Sequence, residues 1–382
     1  MIKKYTDFDL SARNTFRMRV KCALFVEVTE EADLAALDWS ALPRPVLVMG
    51  GGSNLLFTKD FPGTVLRYAG ALPPNDPRGL KSLSDFCACK SPGPGRAPDG
   101  ASASLQVPDE TLVTVPAGVV FDDFCAWAAS EGLWGPENLS LIPGEAGASA
   151  VQNIGAYGVE AKDIIAGIRA YDRTTGQFVD IDPADCRYGY RTSRFKTEWK
   201  GRFIITAVTY RLSRTPRPRL DYGGVRKALS CHSASLSCHS ERSEESLTPQ
   251  LIREAIIGIR QAKLPAVEEL GSAGSFFCNP VISREHFEHI MAIAREDNGP
   301  DYAVPHFEVG DSIKVPAAWM IEQCGFKGAR NGGAQVYQNQ PLVIVNASGT
   351  ASPQDIIGLE NQVIQAIAQK YGITLHPEVE HV

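Results

Sequence analysis

The chain has 382 residues, enough for two or three domains with sizeable hydrophobic cores, which excludes a peptide hormone or a lone binding module. Its 44% hydrophobic and 21% charged residues are typical of a globular protein and exclude a disordered or fibrous one. The net charge of −6, from 38 basic and 44 acidic residues, argues against nucleic acid or an anionic membrane surface as the main partner.

Apolar alternation and helical spacing predict strands and helices that follow one another along the chain. A small β-α-β unit comes first, a larger α+β region follows it, and a third region combines helices and strands. The predicted strands are 23–28, 45–49, 64–68, 111–115 and 203–212, and the predicted helices are 31–37, 121–131, 249–261 and 354–370.

Two stretches interrupt this pattern. Residues 73–108 are rich in Pro, Gly, Ser and Ala, and in residues 230–246 the sequence Ser-Cys-His-Ser recurs after seven residues. Because such segments bury little apolar surface, we expect both to be mobile surface insertions. The predicted domains are therefore 1–70, 71–229 and 247–382, with residues 230–246 as a low-complexity insertion.

The amino terminus and the cysteines bear on the compartment. No apolar run reaches the roughly 18 residues of a membrane-spanning helix, and MIKKYTDFDL lacks the apolar segment of a secretory signal, so we expect a cytoplasmic protein without a membrane partner. In that reducing compartment the nine cysteines are expected to be free thiols. Their spacing predicts no metal site, although the Cys-His pairs at 231–232 and 238–239 offer soft ligands.

A glycine-rich loop, GGGSN at residues 50–54, follows the predicted strand 45–49. Consecutive glycine amides can point one way and form an anion-binding concavity for a pyrophosphate. The loop matches neither the dinucleotide fingerprint G-x-G-x-x-G nor the phosphate-binding loop of nucleoside triphosphatases. Taken alone, it is better explained as a tight turn capped by Asn54.

A second run of small residues, IPGEAGASAVQNIGAYG from Ile142 to Gly158, contains four glycines. Packing is a poor explanation for it, because each glycine costs conformational entropy and supplies no side chain to a core. Close approach of a flat ligand to the backbone explains it better. We therefore expect the second loop to face the first, with one extended dinucleotide clamped between two domains.

Eight short motifs occur in a characteristic order along the chain. They are NTF from Asn14, GGGSNLL from Gly50, IPG from Ile142, QNIGAYG from Gln152, YR-x-S-x-F-K from Tyr190, KLP from Lys263, GSFF-x-NP from Gly274 and PEV from Pro377. Together they resemble the UDP-N-acetylenolpyruvoylglucosamine reductases over nearly the whole chain except the two insertions. The resemblance implies an α+β protein with a two-domain FAD-binding fold of the FAD-linked oxidase/reductase type, plus a C-terminal α/β substrate-binding domain, acting as a monomer.

The family's reaction is implied by the same resemblance. NADPH delivers a hydride to FAD, and the hydride then passes to the enolpyruvyl ether of a UDP-sugar, giving UDP-N-acetylmuramate for peptidoglycan synthesis. Charge that develops beside a carboxylate requires a cation, a proton donor and a polarising group. By motif match these catalytic residues are Arg191, Ser275 and Glu378; on chemistry alone Glu380 competes with Glu378, and each of the three has an ordinary structural explanation.

The resemblance also implies binding residues. Lys263 and Asn279 match positions used for the diphosphate and uridine end of the ligand, and the tyrosines match ring contacts or, at Tyr302, a mobile lid. The implied FAD-binding residues are Gly50, Gly51, Gly52, Ser53, Asn54, Pro143, Gly144, Gly147, Gln152, Asn153, Gly155, Ala156 and Tyr157, and the implied substrate-binding residues are Tyr190, Tyr222, Lys263, Asn279, Tyr302 and Gln340.

Two positions depart from the family pattern. Cys278 stands where the family usually has lysine, and Glu145 adds a negative charge near the presumed pyrophosphate, so we expect its side chain to point away. Two alternatives remain open: another FAD-linked oxidoreductase that uses oxygen as the acceptor, and a catalytically inactive relative that binds the nucleotide. Bound flavin and turnover with NADPH distinguish them.

Overall fold

A computed structural model describes residues 1–70, 109–222, 224–235, 247–266 and 269–382. They form two compact units. The first contains residues 1–7, 23–51 and 62–262, and the second contains residues 8–22, 52–61 and 263–382. In the described ranges, no helix combines the length and the apolar character that crossing a membrane requires.

The first unit begins with a four-stranded sheet in the order β1-β2-β5-β3. Strands β3 and β5 run parallel, and the chain crosses from one to the other through residues 49–60, which contain the first glycine-rich loop and β4. Buried residues of this sheet and of the first helix form one core with two residues of the next sheet, Tyr171 and Ile204. The elements are β1 (Ile2–Asp9), β2 (Lys21–Val28), α1 (Glu31–Ala35), β3 (Val46–Val48), β4 (Leu55–Leu56), which pairs elsewhere, and β5 (Phe61–Tyr68).

The second sheet of this unit is antiparallel, in the order β10-β9-β11-β6. Its central strand, β11, pairs with β6 on one side and with β9 on the other. Helices α2 and α3 pack on it through an apolar core that includes Phe124, Trp127 and Tyr210. The elements are β6 (Glu110–Pro116), α2 (Phe121–Ser130), α3 (Ala146–Gln152), β7 (Gly155–Ala156), β8 (Val159–Glu160), β9 (Ile165–Asp172), β10 (Gln177–Ile181) and β11 (Phe203–Ser213).

Two further helices complete the first unit, α4 (Val225–Ser235) and α5 (Pro249–Lys263). Val225, Ile252 and Ile256 bury their side chains with Trp134. Arg253 of α5 forms an ion pair with Asp122, with 2.5 Å between Nη1 and Oδ1. The contacts fix α5, and the residues at its end, against the second sheet.

The second unit contains a four-stranded sheet β12-β18-β17-β16, a three-stranded sheet β13-β15-β14 and a parallel pair β19-β4. The long helix α8 begins with a capping box at Ser352 and ends at Gly372, whose φ is 67°. The elements are β12 (Gly271–Ser275), β13 (Val281–Ser283), α6 (Arg284–Asn298), β14 (Phe307–Val309), β15 (Ser312–Lys314), α7 (Ala317–Gln323), β16 (Arg330–Asn331), β17 (Ala334–Val336), β18 (Val343–Asn346), α8 (Pro353–Tyr371) and β19 (Glu380–His381).

All nine predicted strands and helices are present, with ends that differ by a few residues. The insertion predicted at 73–108 lies outside the described residues, as do residues 236–246 of the second insertion. Its first residues differ from the expectation, because residues 230–235 continue helix α4. The helix extends there from Val225, which is buried. The predicted domain boundaries stay predictions.

Candidate active site

The two glycine-rich loops lie side by side at Gly50, Gly51 and Gly144, which all belong to the first unit. A Cβ atom placed on Gly51 would lie 3.8 Å from the Cα of Gly144, and one on Gly50 would lie 2.9 Å from Oε2 of Glu145. The prediction that the second loop faces the first is thus confirmed at these residues. Gly51 is exposed, so its backbone is accessible to a ligand.

Glu145 does not point away from the first loop, and that expectation is wrong. Its buried carboxylate contacts Gly50 and pairs with Arg67, with 2.5 Å between Oε1 and Nη2. Arg67 also pairs with Glu27 at 3.1 Å. Because a buried carboxylate needs a compensating charge, Arg67 explains how an acidic residue is tolerated beside a loop suited to anions.

Several glycines of the second loop have packing reasons, contrary to the expectation from the sequence. A Cβ on Gly147 would lie 2.7 Å from the Cβ of Ala117, and one on Gly155 would lie 3.0 Å from Nη1 of Arg191. Gly52, in the second unit, has a φ of 64° and leaves only 2.2 Å between such a Cβ and the carbonyl oxygen of Arg13. Close packing thus explains these glycines, whereas the exposed backbone at Gly51 suits a ligand.

The end of the second loop is held in an unusual backbone conformation. Asn153 and Tyr157 have φ values of 49° and 48° in the left-handed region. Asn138, which is fully buried, donates from Nδ2 to the carbonyl oxygens of Tyr157 and Arg219, both at 2.8 Å. Such strain persists only where neighbouring contacts enforce it, and it concentrates at functional sites.

Arg191 lies on a tight turn attached to that loop. Its φ is 55°, and its Nη2 donates to the carbonyl oxygen of Gly155 at 2.5 Å. Asn153 secures the turn by donating to the carbonyl oxygen of Gly189 at 2.9 Å, and the Ser193 hydroxyl donates to that of Val151 at 2.5 Å. The turn therefore places a permanent positive charge directly beside the Gly155–Ala156 strand.

A second cation, Arg260 of helix α5, lies beside the same residues. It hydrogen-bonds Tyr157, and burial together with the charge of Arg191 lowers the pKa of Arg260, while burial raises that of Tyr157. Its Nε is buried without a hydrogen-bond partner among the described residues. Tyr222 lies close by, 3.3 Å from a Cβ placed on Gly158. Two cations held together in this way suit an anionic group.

Ser275 and Glu378 lie on neighbouring segments of the second unit. Ser275 ends β12 opposite Val343, and the next residue, Phe276, accepts a hydrogen bond from the Glu378 amide at 2.8 Å. Phe277 and Pro377 continue this pairing. The Asn54 side chain reaches beyond its own turn, because its Nδ2 donates a hydrogen bond to the Glu378 carbonyl oxygen at 3.1 Å.

The other predicted substrate-binding residues of the second unit are Asn279, Gln340, Tyr302 and Lys263. Asn279 accepts a hydrogen bond from the amide of Ala317 at 2.9 Å, at the start of α7. Gln340 precedes β18 and accepts from the amide of Val343, the residue paired with Ser275. The Tyr302 hydroxyl accepts from Nε1 of Trp319 at 3.0 Å, and Lys263 is exposed at the end of α5.

Comparison with known proteins decides the family. Residues 265–382 match the UDP-N-acetylenolpyruvoylglucosamine reductase C-terminal domain, and residues 103–182 match an FAD binding domain. A UDP-N-acetylenolpyruvoylglucosamine reductase of Bacteroides fragilis is 38% identical over 377 residues, 98% of this chain and 99% of the relative. That of Chromobacterium violaceum is 39% identical over 376 residues, 97% of each chain. The chain belongs to the UDP-N-acetylenolpyruvoylglucosamine reductase family.

Solved structures agree on the fold. The reductase of this name from Thermus caldophilus matches with a TM-score of 0.60 at 20% identity, over 100% of this chain and 98% of that one. The predicted α+β class, with an FAD-binding fold and a further C-terminal domain, is confirmed, and as a member of the reductase family the protein is an FAD-dependent oxidoreductase. The individual site residues stay predictions.

The residues present fit FAD. An exposed glycine backbone in contact with a second glycine loop suits a pyrophosphate, and the second loop lies within the residues matched as an FAD binding domain. For metals there is no comparable site: in the part of the chain that the structure describes, no three His, Cys, Asp or Glu side chains gather to bind an ion.

The sequence analysis missed three residues that shape the site. Arg260 lies three residues before Lys263 on the same helix. The available signal was therefore its position about one helical turn before the KLP motif. Asn138 and Arg67 gave no such signal. Their importance comes from buried contacts with residues 19 and 78 positions away, Tyr157 and Glu145.

Proposed function

We propose that the protein reduces UDP-N-acetylglucosamine enolpyruvate to UDP-N-acetylmuramate, a step of peptidoglycan precursor synthesis, with NADPH as reductant and FAD as cofactor. The observation that supports this proposal best is the Arg191 turn, which fixes a guanidinium on the second glycine loop. The name shared by relatives that cover nearly the whole chain agrees with it.

Gly51 and Gly144 are the residues that would hold the FAD pyrophosphate through their backbone amides, since Gly51 is exposed and lies beside Gly144. The chemistry supplied by FAD when bound is transfer of a hydride, taken from NADPH, to the methylene carbon of the enolpyruvyl group. Arg67 pairs with Glu145 and thereby reduces the repulsion between this carboxylate and a diphosphate placed at the loop.

Arg191 and Arg260 would bind the carboxylate of the enolpyruvyl group. A guanidinium stays charged at any working pH and can donate two parallel hydrogen bonds to a carboxylate. The carboxylate also receives the negative charge that develops on the neighbouring carbon after hydride addition. Because two cations repel one another when the site is empty, an anion between them removes that repulsion and is bound more tightly.

Ser275 would donate the proton that completes the reduction at the carbon beside the carboxylate. A hydroxyl is a weak acid, but a carbanionic intermediate is basic enough to accept its proton when the geometry is fixed. The backbone pairing of Phe276 with Glu378 fixes the residue next to Ser275. Glu378 would polarise the enolpyruvyl group, and the position of Ser275 at a strand end leaves its side chain half-buried.

Flavin absorbance during the two half-reactions tests this function. The purified protein is loaded with FAD and reduced by NADPH without oxygen, and UDP-N-acetylglucosamine enolpyruvate is then added. The proposal predicts loss of the yellow colour and its return with the substrate. Recovery only on admission of oxygen would indicate an oxidase, and failure to bind FAD would indicate an inactive relative.

The variant Ser275→Ala tests the proton donor. We expect reduction of the flavin by NADPH at nearly the parent rate and reoxidation by the enolpyruvyl substrate at least about 100-fold slower, the usual range for a lost general acid. Ser272→Ala, a buried serine three residues earlier on the same strand, is the matched control. Parental reoxidation in Ser275→Ala would show that another group donates the proton.

A further inference from the structure

An ion pair between a buried carboxylate and a partly exposed histidine lies next to the segment that carries Glu378. Glu360, on α8, is 5% exposed, and its Oε2 is 3.0 Å from Nε2 of His381 on β19. A carboxylate buried to this degree is costly unless a positive or donating partner compensates it. His381 supplies the opposite charge when it is protonated, although Oε2 of Glu360 has no well-aligned hydrogen-bond partner among the described residues.

The pair acts on one side of the terminal segment. Side chains two residues apart on an extended chain share a face, and neighbouring ones point to opposite faces. Val379, two residues before His381, is buried, so the face that these two residues share packs inward at Val379 and reaches the surface at His381. On this alternation Glu378 lies on the opposite face, one residue before Val379.

Backbone hydrogen bonds also hold the same segment, on one side through Glu378 and on the other through the residues that follow it. The amide of Glu380 donates to the Asn54 carbonyl oxygen at 3.0 Å, and that of Val382 donates to Leu56 at 2.9 Å. Strand β19 is short and pairs with β4 alone among the described strands, so its side-chain contacts decide how firmly it is held.

We infer that Glu360 and His381 are positioning residues for Glu378, with the ion pair holding the terminal strand in the orientation that the reduction requires. The inference rests on the proposed function, in which Glu378 polarises the substrate. Neither residue touches the substrate in this assignment. Loss of the pair therefore lowers kcat for the step that uses Glu378 and leaves reduction of the flavin by NADPH unchanged.

The pair also makes this positioning sensitive to pH. His381 faces Glu360 from α8 and the ring of Phe276, whose centroid is 6.3 Å away, while β4 contributes Leu55 and Leu56, which do not titrate. Glu380 precedes it on its own strand. The hydrogen bond and charge of Glu360 raise the pKa of His381. The stabilisation is thus complete below the unfolded pKa of about 6.5 and is lost as pH rises through the higher folded value.

The experiment uses the full chain with FAD bound and two variants, Glu360→Gln and His381→Gln. The His381 C2 proton is titrated by NMR, and kcat, KM and flavin reoxidation are measured from about pH 6 to about pH 9, a range that spans the titration of a histidine. His306→Gln, which replaces a histidine bonded to the Val304 carbonyl oxygen, is the matched control.

The expected result has three parts. In the parent, reoxidation slows about two- to fivefold as His381 loses its proton, the size of effect typical of one partly exposed ion pair. In Glu360→Gln, the NMR midpoint and the fall in rate both move to lower pH. In His381→Gln, whose amide does not titrate, the fall in reoxidation rate with rising pH disappears. In both variants KM and the rate of flavin reduction by NADPH stay close to the parent values.

Two results overturn the inference by different routes. An NMR midpoint that is the same in Glu360→Gln and the parent would show that the pair does not form, whatever the function. If Glu378→Gln reoxidises at the parent rate, Glu378 has no part in the reaction, so the proposed role of Glu378 fails and the positioning role fails with it.

Discussion

Asn138 bears more of the site's stability than its place in a single turn of 3₁₀ helix, Glu137–Leu139, indicates. The change Asn138→Ala removes Nδ2, which donates to the carbonyl oxygens of Tyr157 and Arg219 at 2.8 Å each. Each bond contributes about 1 kcal/mol net, and leaving the carbonyl oxygen of the half-buried Tyr157 without its donor adds about 1 kcal/mol. The Oδ1 of Asn138 has no hydrogen-bond partner among the described residues, so removing this buried acceptor offsets part of the loss in stability. We expect the free energy of unfolding to fall by about 2–3 kcal/mol.

Urea unfolding followed by far-UV circular dichroism measures this loss, with Asn339→Ala, an exposed asparagine, as the control. The affinity for FAD is measured alongside by flavin fluorescence. Because Asn138 holds the Tyr157 loop in its left-handed conformation, we expect FAD to bind more weakly by up to about tenfold, which corresponds to about 1.4 kcal/mol. A loss of stability below about 0.5 kcal/mol, the range of ordinary surface substitutions, would refute the reasoning.

Two further substitutions test packing and charge by urea unfolding. Gly52→Ala places a Cβ 2.2 Å from the Arg13 carbonyl oxygen at a positive φ and should lower the free energy of unfolding by at least about 2 kcal/mol. Gly51→Ala, whose Cβ would lie 3.8 Å from its nearest neighbour, should lower it by less than about 1 kcal/mol. Equal losses would contradict the packing explanation. Arg253→Met leaves the half-buried carboxylate of Asp122 without its cation and should cost about 3 kcal/mol. Adding Asp122→Asn should recover most of that loss, and no recovery would mean that the charge is unimportant.

The regular elements were predictable because each has a local signal. Strand β11 alternates apolar and polar residues from Val208 to Ser213, and its apolar residues there, Val208, Tyr210 and Leu212, are buried. Helix α2 carries its apolar residues at helical spacing and buries Phe124, Trp127 and Ala128 as a result. These patterns follow from burial alone, so they do not depend on the partner that each element packs against.

The site was predictable only as far as its motifs reach. Arg191, Ser275 and Glu378 were chosen by motif, and no composition or periodicity selects them from other residues of their type. Arg67 and Asn138 carry no motif, and their roles depend on buried contacts made across long sequence separations. The direction of Glu145 was mispredicted because the sequence does not show that Arg67 compensates its charge.

The parallel pair of β4 and β19 has a consequence for the order of folding during synthesis. Asn54 binds the backbone of Glu378, 324 residues later, and at about 5–20 residues per second a ribosome needs roughly 15–65 s to make that stretch. Residues 8–22 and 52–61 belong to the same unit as this late segment, so they emerge long before their partners. The apolar side chains of Leu10, Phe16 and Phe57, all fully buried in the finished protein, are exposed to the cell for that time. We therefore expect nascent chains of this protein to bind chaperones that recognise exposed apolar segments.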